Sequence, residues 1–302
     1  MAKDSAFIPT QKEGDFPLRP SQSYTLKMNC HLDPEELEFW ESQKRCGEEI
    51  DLKLARDLPD DTPDFILNMM GDFEEDAADF CFSGAQGLVL DAGCGNGNLL
   101  LRALKNKKIQ AKPERESLQV IGMDFSGNML GRAALRAKGD DRTGFLQGSV
   151  TDLPFQDQSF DRVVSSGVMT CLPNTGAAAR ALQEFYRVLK PEGVLVVDFF
   201  SRTSHYTLIR KHLFREPIKP PEYVSPVEFQ RALEEAGFAV LACRGFDFKP
   251  CQGYLFQSPW RRVIDPGYFQ ERLSRFLEHK VLPRRPGLNL LGYRIYVKGI
   301  KK

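Results

Sequence analysis

The sequence predicts an α/β protein built on a doubly wound parallel sheet. Three observations carry this. Short apolar runs at 87–91, 119–124, 145–150, 162–167 and 194–199 have the length and residue types of buried strands. Segments with helical spacing of apolar residues separate several of them, which is the alternation that builds a parallel sheet. The first run ends in an acid and then carries glycine at alternate positions, Asp91-Ala92-Gly93-Cys94-Gly95-Asn96-Gly97, before a helix-like segment at 99–105. Strand, glycine turn and helix is how such sheets receive a nucleotide.

Composition bounds the rest. A chain of 302 residues with 42% hydrophobic residues can fold as one large domain, or as a domain with a cap. Lysine plus arginine equals aspartate plus glutamate, so the formal net charge is zero. That balance counts against nucleic acid as the partner, because phosphate binding usually leaves a basic excess. The seven cysteines include no C-x-x-C pair and show no metal-ligand spacing, so no metal is expected. An odd cysteine count without a signal-peptide pattern leads to the expectation of reduced thiols in a cytoplasmic protein. No apolar run reaches the length of a membrane span.

The elements follow in order. Residues 1–30 are polar, contain Pro9, Pro17 and Pro20, and read as a loose arm. Asp33-Pro34-Glu35-Glu36 opens a first helix, with an acid able to cap it and proline at the first helical position. Thr62-Pro63 opens a second, in which Phe65, Ile66, Met69, Met70, Phe73, Ala77 and Phe80 share a face. These helices either pack on the sheet or form a lid over a ligand. Asp124 ends the second strand, and Ser126 caps a helix to about residue 138. A further helix spans about 175–190, with Ala178, Leu182, Phe185 and Leu189 on one face, and Lys190–Gly193 turns into the fifth strand. Residues 201–223 are irregular. Ser225-Pro226-Val227-Glu228 forms a capping box for a helix that ends at Gly237, and 238–246 is a sixth strand. An insertion of about forty residues follows, a length usually tied to function. It concentrates Phe248, Tyr254, Phe256, Trp260, Tyr268 and Phe269, and 290–298 closes a seven-stranded sheet.

The glycine spacing narrows the ligand. A dinucleotide fingerprint needs G-x-G-x-x-G. Here the third glycine comes one residue early, position 98 is asparagine, and no phosphate-loop Lys-Ser/Thr follows. The stretch resembles motif I of the class I S-adenosylmethionine-dependent methyltransferases. Asp124, Gln147-Gly-Ser-Val-Thr-Asp-Leu-Pro-Phe155, Ser159-Phe160-Asp161 and Arg187-Val-Leu-Lys-Pro-Glu-Gly193 resemble the same family, over about residues 85–200. The likeness is to methyltransferase type 11 and its small-molecule branch, which includes quinone-biosynthesis C-methyltransferases.

The resemblance implies a Rossmann-like methyltransferase fold, S-adenosyl-L-methionine as cofactor, and methyl transfer to a small, partly apolar acceptor. It places the cofactor against Asp91, Ala92, Gly93, Gly95, Asn96 and Gly97. It gives Asp124, with Phe125 beside it, to the ribose hydroxyls. Ser149 stands where the family usually has Asp or Asn for the adenine amino group, Asp152 reads either as a substitute for it or as an exposed turn carboxylate, and Val150 lies against the adenine. Ser166 aligns with a position that touches the methionine part. Residues 1–82 then form an arm and helical cap, and 83–302 a methyltransferase domain with 201–224 and 247–288 as lid or substrate segments. A methyltransferase-like binding module without its own catalysis is the alternative that Ser149 favours. A macromolecular acceptor is a third.

An acceptor hydroxyl or carbon acid needs a base. His205, Tyr206 and His212 follow the fifth strand on the carboxyl side of the sheet, and they read either as that base or as lid and surface groups. Trp260 with Arg261 and Arg262 reads either as an acceptor-pocket wall or as a satellite cluster packed on the last strands.

Overall fold

Strands β1 (Leu88–Ala92), β2 (Gln119–Asp124), β3 (Thr143–Gln147), β4 (Phe160–Ser165) and β5 (Leu189–Ser201) lie parallel in the computed structural model. Strand β8 (Arg294–Lys301) runs antiparallel between β5 and β7 (Phe238–Phe246), so the order is β3-β2-β1-β4-β5-β8-β7. The structure describes residues 38, 64–106, 109, 118–213, 215, 223–246, 267, 269–277, 281 and 286–302. Its helices are α1 (Asp64–Phe82), α2 (Asn98–Lys105), α3 (Gly127–Arg136), α4 (Thr175–Val188), α5 (His205–Leu213), α6 (Pro226–Glu235) and α7 (Phe269–Phe276). Among the described residues, no helix is long and apolar enough to cross a membrane.

Side chains alternate across the central strands because a strand has period two. Leu90, Ile121, Val163, Leu195 and Val197 face α4 and α6, where Leu182, Phe185, Phe229 and Leu233 meet them. Val89, Val120, Val164 and Val196 face the opposite way, toward Phe82, Leu100, Leu101, Leu130 and Ala133 of α1, α2 and α3. Both faces are covered, which is why β1 and β4 read as nearly continuous apolar runs. Each such side chain contributes about 1.5–3 kcal/mol on burial.

The expected caps are present. Ser126 accepts from the Met129 amide at the start of α3, and Ser225 with Glu228 completes a capping box on α6. Four boundaries differ from the sequence reading. The sheet has an eighth strand, β6 (Tyr223–Val224), two residues paired with the end of β5. Strand β3 stops at Gln147, so Gly148 to Val150 leave the ladder. Strand β5 begins at Leu189 and absorbs the Lys190–Gly193 turn as an irregularity, with Glu192 at φ 62° and a register shift opposite Phe160 and Arg162. The last strand lies at 294–301, because its ladder with β5 pairs Val194 with Ile300; residues 286–291 form a 3-10 helix instead. The helix expected from Asp33 lies outside the described residues, apart from Glu38.

One buried cation fixes α1 against the sheet. Arg162 on β4 is 8% exposed, and its guanidinium donates to the carbonyls of Cys81 at 2.7 Å and Ser83 at 3.1 Å. It thereby satisfies carbonyls that the helix end leaves without partners. Arg102 on α2 pairs with Glu74 at 3.1 Å and Glu75 at 2.7 Å from the other side. Arg162→Met should lower stability by about 1.5–3 kcal/mol, the worth of hydrogen bonds to a charged group. Urea unfolding should show this as a lower midpoint at unchanged slope.

Candidate active site

A cavity of about 520 Å³ opens at the carboxyl edge of the parallel strands. The glycine loop forms its floor. The amides of Gly93 and Cys94 both donate to the Met123 carbonyl, at 2.6 and 2.9 Å. The Gly95 amide donates to Asp124 Oδ2 at 2.8 Å, while Asp124 Oδ1 accepts from the Ser126 amide at 2.9 Å. One carboxylate therefore ties the loop to the start of α3. Gly93 has φ 82°, and a Cβ there would sit 2.1 Å from Val168 Cγ2, so only glycine fits. At Gly95, φ 53°, the nearest protein atom to a Cβ is Met129 Cε at 3.7 Å. The space beside Gly95 belongs to the cavity.

Asp91 is the most unusual group. It is 1% exposed, it lines the cavity, and its Oδ2 has no hydrogen-bond partner. Burial pushes its carboxyl up to about 8, and the neighbouring Asp124 adds to the rise. An uncharged or cation-paired carboxyl is what such a position tolerates.

The side toward β3 carries Ser149 and Val150. The Ser149 hydroxyl is engaged in its own turn, 2.8 Å from Thr151 Oγ1 and accepting from the Thr151 amide at 3.3 Å. The opposite side is built by β4, β5 and β8. Asp198, 0% exposed, accepts from the Gly167 amide at 2.7 Å and from Arg294 Nε. Arg294 Nη2 donates to Ser166 Oγ at 3.0 Å, and Ser166 Oγ lies 2.7 Å from the Tyr296 hydroxyl. Burial raises the Tyr296 phenol, which stays protonated. Helix α1 supplies a cover through Phe73, Glu74 and Ala77. Glu74 accepts from Asn98 of the glycine motif, and Arg136 holds the Asn96 carbonyl at 2.6 Å.

Of the residues expected from sequence, Asp91, Gly93, Gly95, Asn96, Asp124, Phe125, Ser149, Val150 and Ser166 line this one cavity. Ala92, Gly97 and Asp152 do not: Ala92 is fully buried beneath the loop, Gly97 is the cap of α2, and Asp152 faces solvent in the turn with Ser149. His205, Tyr206 and His212 also lie outside the lining. They stand on α5, where His212 is exposed and Tyr206 packs edge-on against Tyr293 at 5.0 Å, one layer behind the wall. Trp260, Arg261 and Arg262 lie outside the described residues. Sequence reasoning missed Phe73, Glu74, Tyr293, Arg294, Tyr296 and Asp198. Signals existed for two of these sets. Asp198 is an acid within an apolar strand, and Arg294 and Tyr296 are two apart, hence on one face of β8.

The sheet order, the alternate-glycine loop after β1 and the carboxylate ending β2 define a Rossmann-like domain, a fold whose ligand sites lie at the carboxyl edge of the sheet. Residues 90–197 match the methyltransferase domain family. The chain is 36% identical over 141 residues to a demethylmenaquinone methyltransferase of Clavibacter sepedonicus, covering 46% of this chain and 51% of that one. It is 34% identical over 119 residues to a 2-phytyl-1,4-naphtoquinone methyltransferase of Nostoc, covering 38% and 48%. The chain thus spans about half the length of the curated relatives it matches. The magnesium protoporphyrin IX methyltransferase of Synechocystis, solved with bound S-adenosylhomocysteine, shares the fold: TM-score 0.52, 14% identity, 89% of this chain and 95% of that one.

The raised Asp91 carboxyl makes stability depend on pH. Between about pH 4 and about pH 8 the folded state keeps a proton that the unfolded chain has released. The ligand-free protein should therefore lose stability as pH rises through that window. Asp91→Asn should flatten the trend, which thermal unfolding from pH 5 to pH 8 would reveal.

Proposed function

We propose that the chain transfers a methyl group from S-adenosyl-L-methionine to a small, partly apolar acceptor. The observation that carries this is the unpartnered Asp91 Oδ2, buried at the floor of a cavity whose other acids bracket a glycine loop. An uncompensated buried carboxylate fits an ammonium group, and the cofactor's methionine part carries one. The residues fit the rest of the molecule as well. The open face of Gly95 admits it, and the Asp124 carboxylate, which lines the cavity at the end of β2, is an acceptor for the ribose hydroxyls. Val150 and Leu99 flank the base, with the Ser149 turn at its edge. The bound cofactor supplies an already electrophilic methyl group.

The protein's own part is then positioning and the exclusion of water. Phe73 and Ala77 of α1 cover the cavity, which supports residues 1–82 as a cap on a domain spanning 83–302. Residues 247–288, which the sequence reading gives with 201–224 to a lid or the substrate, lie largely outside the described residues. No histidine lies in the lining among the described residues, so the geometry favours an acceptor that reaches the site already activated, or loses its proton to an acid of the lining. Two relatives are named for quinones, and the aromatic wall of Phe73, Phe200, Tyr293 and Tyr296 supports a planar quinone-type acceptor here.

Calorimetry with S-adenosylhomocysteine tests the cofactor assignment. Asp124→Ala should weaken binding at least about tenfold, since it removes charge-assisted bonds to the ligand and frees the Gly95 amide. Unchanged affinity would remove Asp124 from the site. Affinity of the wild type should also rise between pH 6 and pH 8, by up to about tenfold per unit, because the ammonium group favours the ionised form of Asp91. Turnover of a quinol panel, followed by product mass, separates an enzyme from a binding module.

A further inference from the structure

The side of the cavity beyond β1 contains a hydrogen-bonded set in which the resemblance gives a task to Ser166 alone, a contact with the cofactor's methionine part, and none to Arg294 and Tyr296. Sheet order separates the two ends. Asp124, Ser149 and Val150 follow β2 and β3, on one side of β1. Ser166 follows β4, and Phe200, Arg294 and Tyr296 stand on β5 and β8, on the other. From β1, whose Asp91 receives the cofactor's ammonium group on that reading, to β8 is three strand steps, about 14 Å at the usual spacing. A ligand on the β2 and β3 side therefore leaves the far end for a second one.

The far end is built rather than incidental. Asp198 is fully buried and is committed to the Gly167 amide and to Arg294 Nε. It fixes the guanidinium in the plane from which Nη2 reaches Ser166 Oγ at 3.0 Å. The guanidinium lies over the rings of Tyr296 at 5.2 Å, Phe73 at 5.8 Å and Phe200 at 5.9 Å. Proton counting then gives a donor. Ser166 and Tyr296 own two hydroxyl protons, and the 2.7 Å bond between them uses one. Arg294 fills an acceptor position on Ser166. The second hydroxyl proton is left to point away from the pair, and both residues line the cavity.

We propose that Arg294, Ser166 and Tyr296 anchor an anionic oxygen of the acceptor, and so select an aromatic acceptor that bears a carboxylate or an ionised hydroxyl. This rests on the methyltransferase reading, which assigns the β2 and β3 side to the cofactor. The rings of Phe73, Phe200 and Tyr293 hold the planar body, and the hydroxyl donor of the Ser166–Tyr296 pair, oriented by Arg294, holds the oxygen. Ser166 and Tyr296 are positioning residues in this arrangement, and Arg294 sets their orientation.

The test uses the full chain saturated with S-adenosylhomocysteine and two probes of equal shape, 2-naphthoate and its neutral counterpart 2-naphthamide. Calorimetry should show the anion bound at least tenfold more tightly. Tyr296→Phe keeps the buried ring and removes only the hydroxyl. It should weaken 2-naphthoate about fivefold or more and leave 2-naphthamide and S-adenosylhomocysteine unchanged. Arg294→Lys, which still gives Asp198 a cation, should abolish the preference between the probes. Equal affinity of the wild type for the two probes, absence of 2-naphthoate binding, or equal losses for both probes in Tyr296→Phe would overturn the anchor while leaving the cofactor reading intact. Loss of S-adenosylhomocysteine affinity in Tyr296→Phe would assign the set to the cofactor and overturn the proposal. Failure of the wild type to bind S-adenosylhomocysteine would overturn both.

Discussion

The site depends on the way the glycine loop is fastened to the end of β2. Two backbone amides converge on the Met123 carbonyl, and a third, from Gly95, reaches the Asp124 carboxylate. The other oxygen of that carboxylate holds Ser126, which in turn caps α3. Loop, strand end and helix start are thus one hydrogen-bonded unit. A loop so constrained cannot rearrange freely around a ligand, so its shape is set before binding. It also holds Asp91 close enough to Asp124 that the second acid adds to the burial that disfavours charge on the first. The ligand-free cavity is electrostatically uncomfortable, and a cationic ligand relieves it.

The second organising feature is the direction of β8. It is antiparallel to β5, so its amino end arrives at the edge where the parallel strands have their carboxyl ends. Arg294 lies opposite Phe200 and Tyr296 opposite Asp198 in that ladder. A parallel strand in the same place would present its far end instead. The reversal delivers a cation and a phenol to the rim, and Asp198 on the adjacent strand is in register to receive the cation. The Arg294–Asp198 pair is neutral as a unit, so it orients donors rather than lending net charge to the cavity. Breaking it would leave the Asp198 carboxylate buried without its cation, which is the costly way to lose an ion pair.

Helix α1 joins these two features. Its carbonyl end is held by Arg162 from β4, and its middle by Arg102 from α2. Phe73 and Glu74 are consequently fixed above the loop, with Glu74 in contact with Asn98 and Phe73 within reach of Arg294. The helix packs on the sheet and lines the cavity at once.

How much was legible in the sequence follows from the range of the interactions involved. The strands β1, β2 and β4, the helices α2, α3, α4 and α6, and the caps at Ser126 and Ser225 were fixed by local pattern, because period, capping and apolar runs act within a few residues. The glycine loop and Asp124 were readable for the same reason: a turn at a strand end needs particular residue types where they stand. The two-residue strand β6 carried no signal, since its pairing comes from β5 and not from its own composition. The register of β8 was misplaced by a few residues because a ladder is set by its partners. His205, Tyr206 and His212 had the right residue types and the right end of the sheet, but α5 places all three outside the lining, with Tyr206 against the wall residue Tyr293 and His212 exposed. Arg294, Tyr296, Asp198 and Phe73 meet only through contacts between elements far apart in the chain. The sequence by itself determined the parallel sheet and its loop, because those are short-range consequences of spacing. The tertiary structure alone decided the far wall of the cavity, because it depends on which strand lies beside β5 and in which direction it runs.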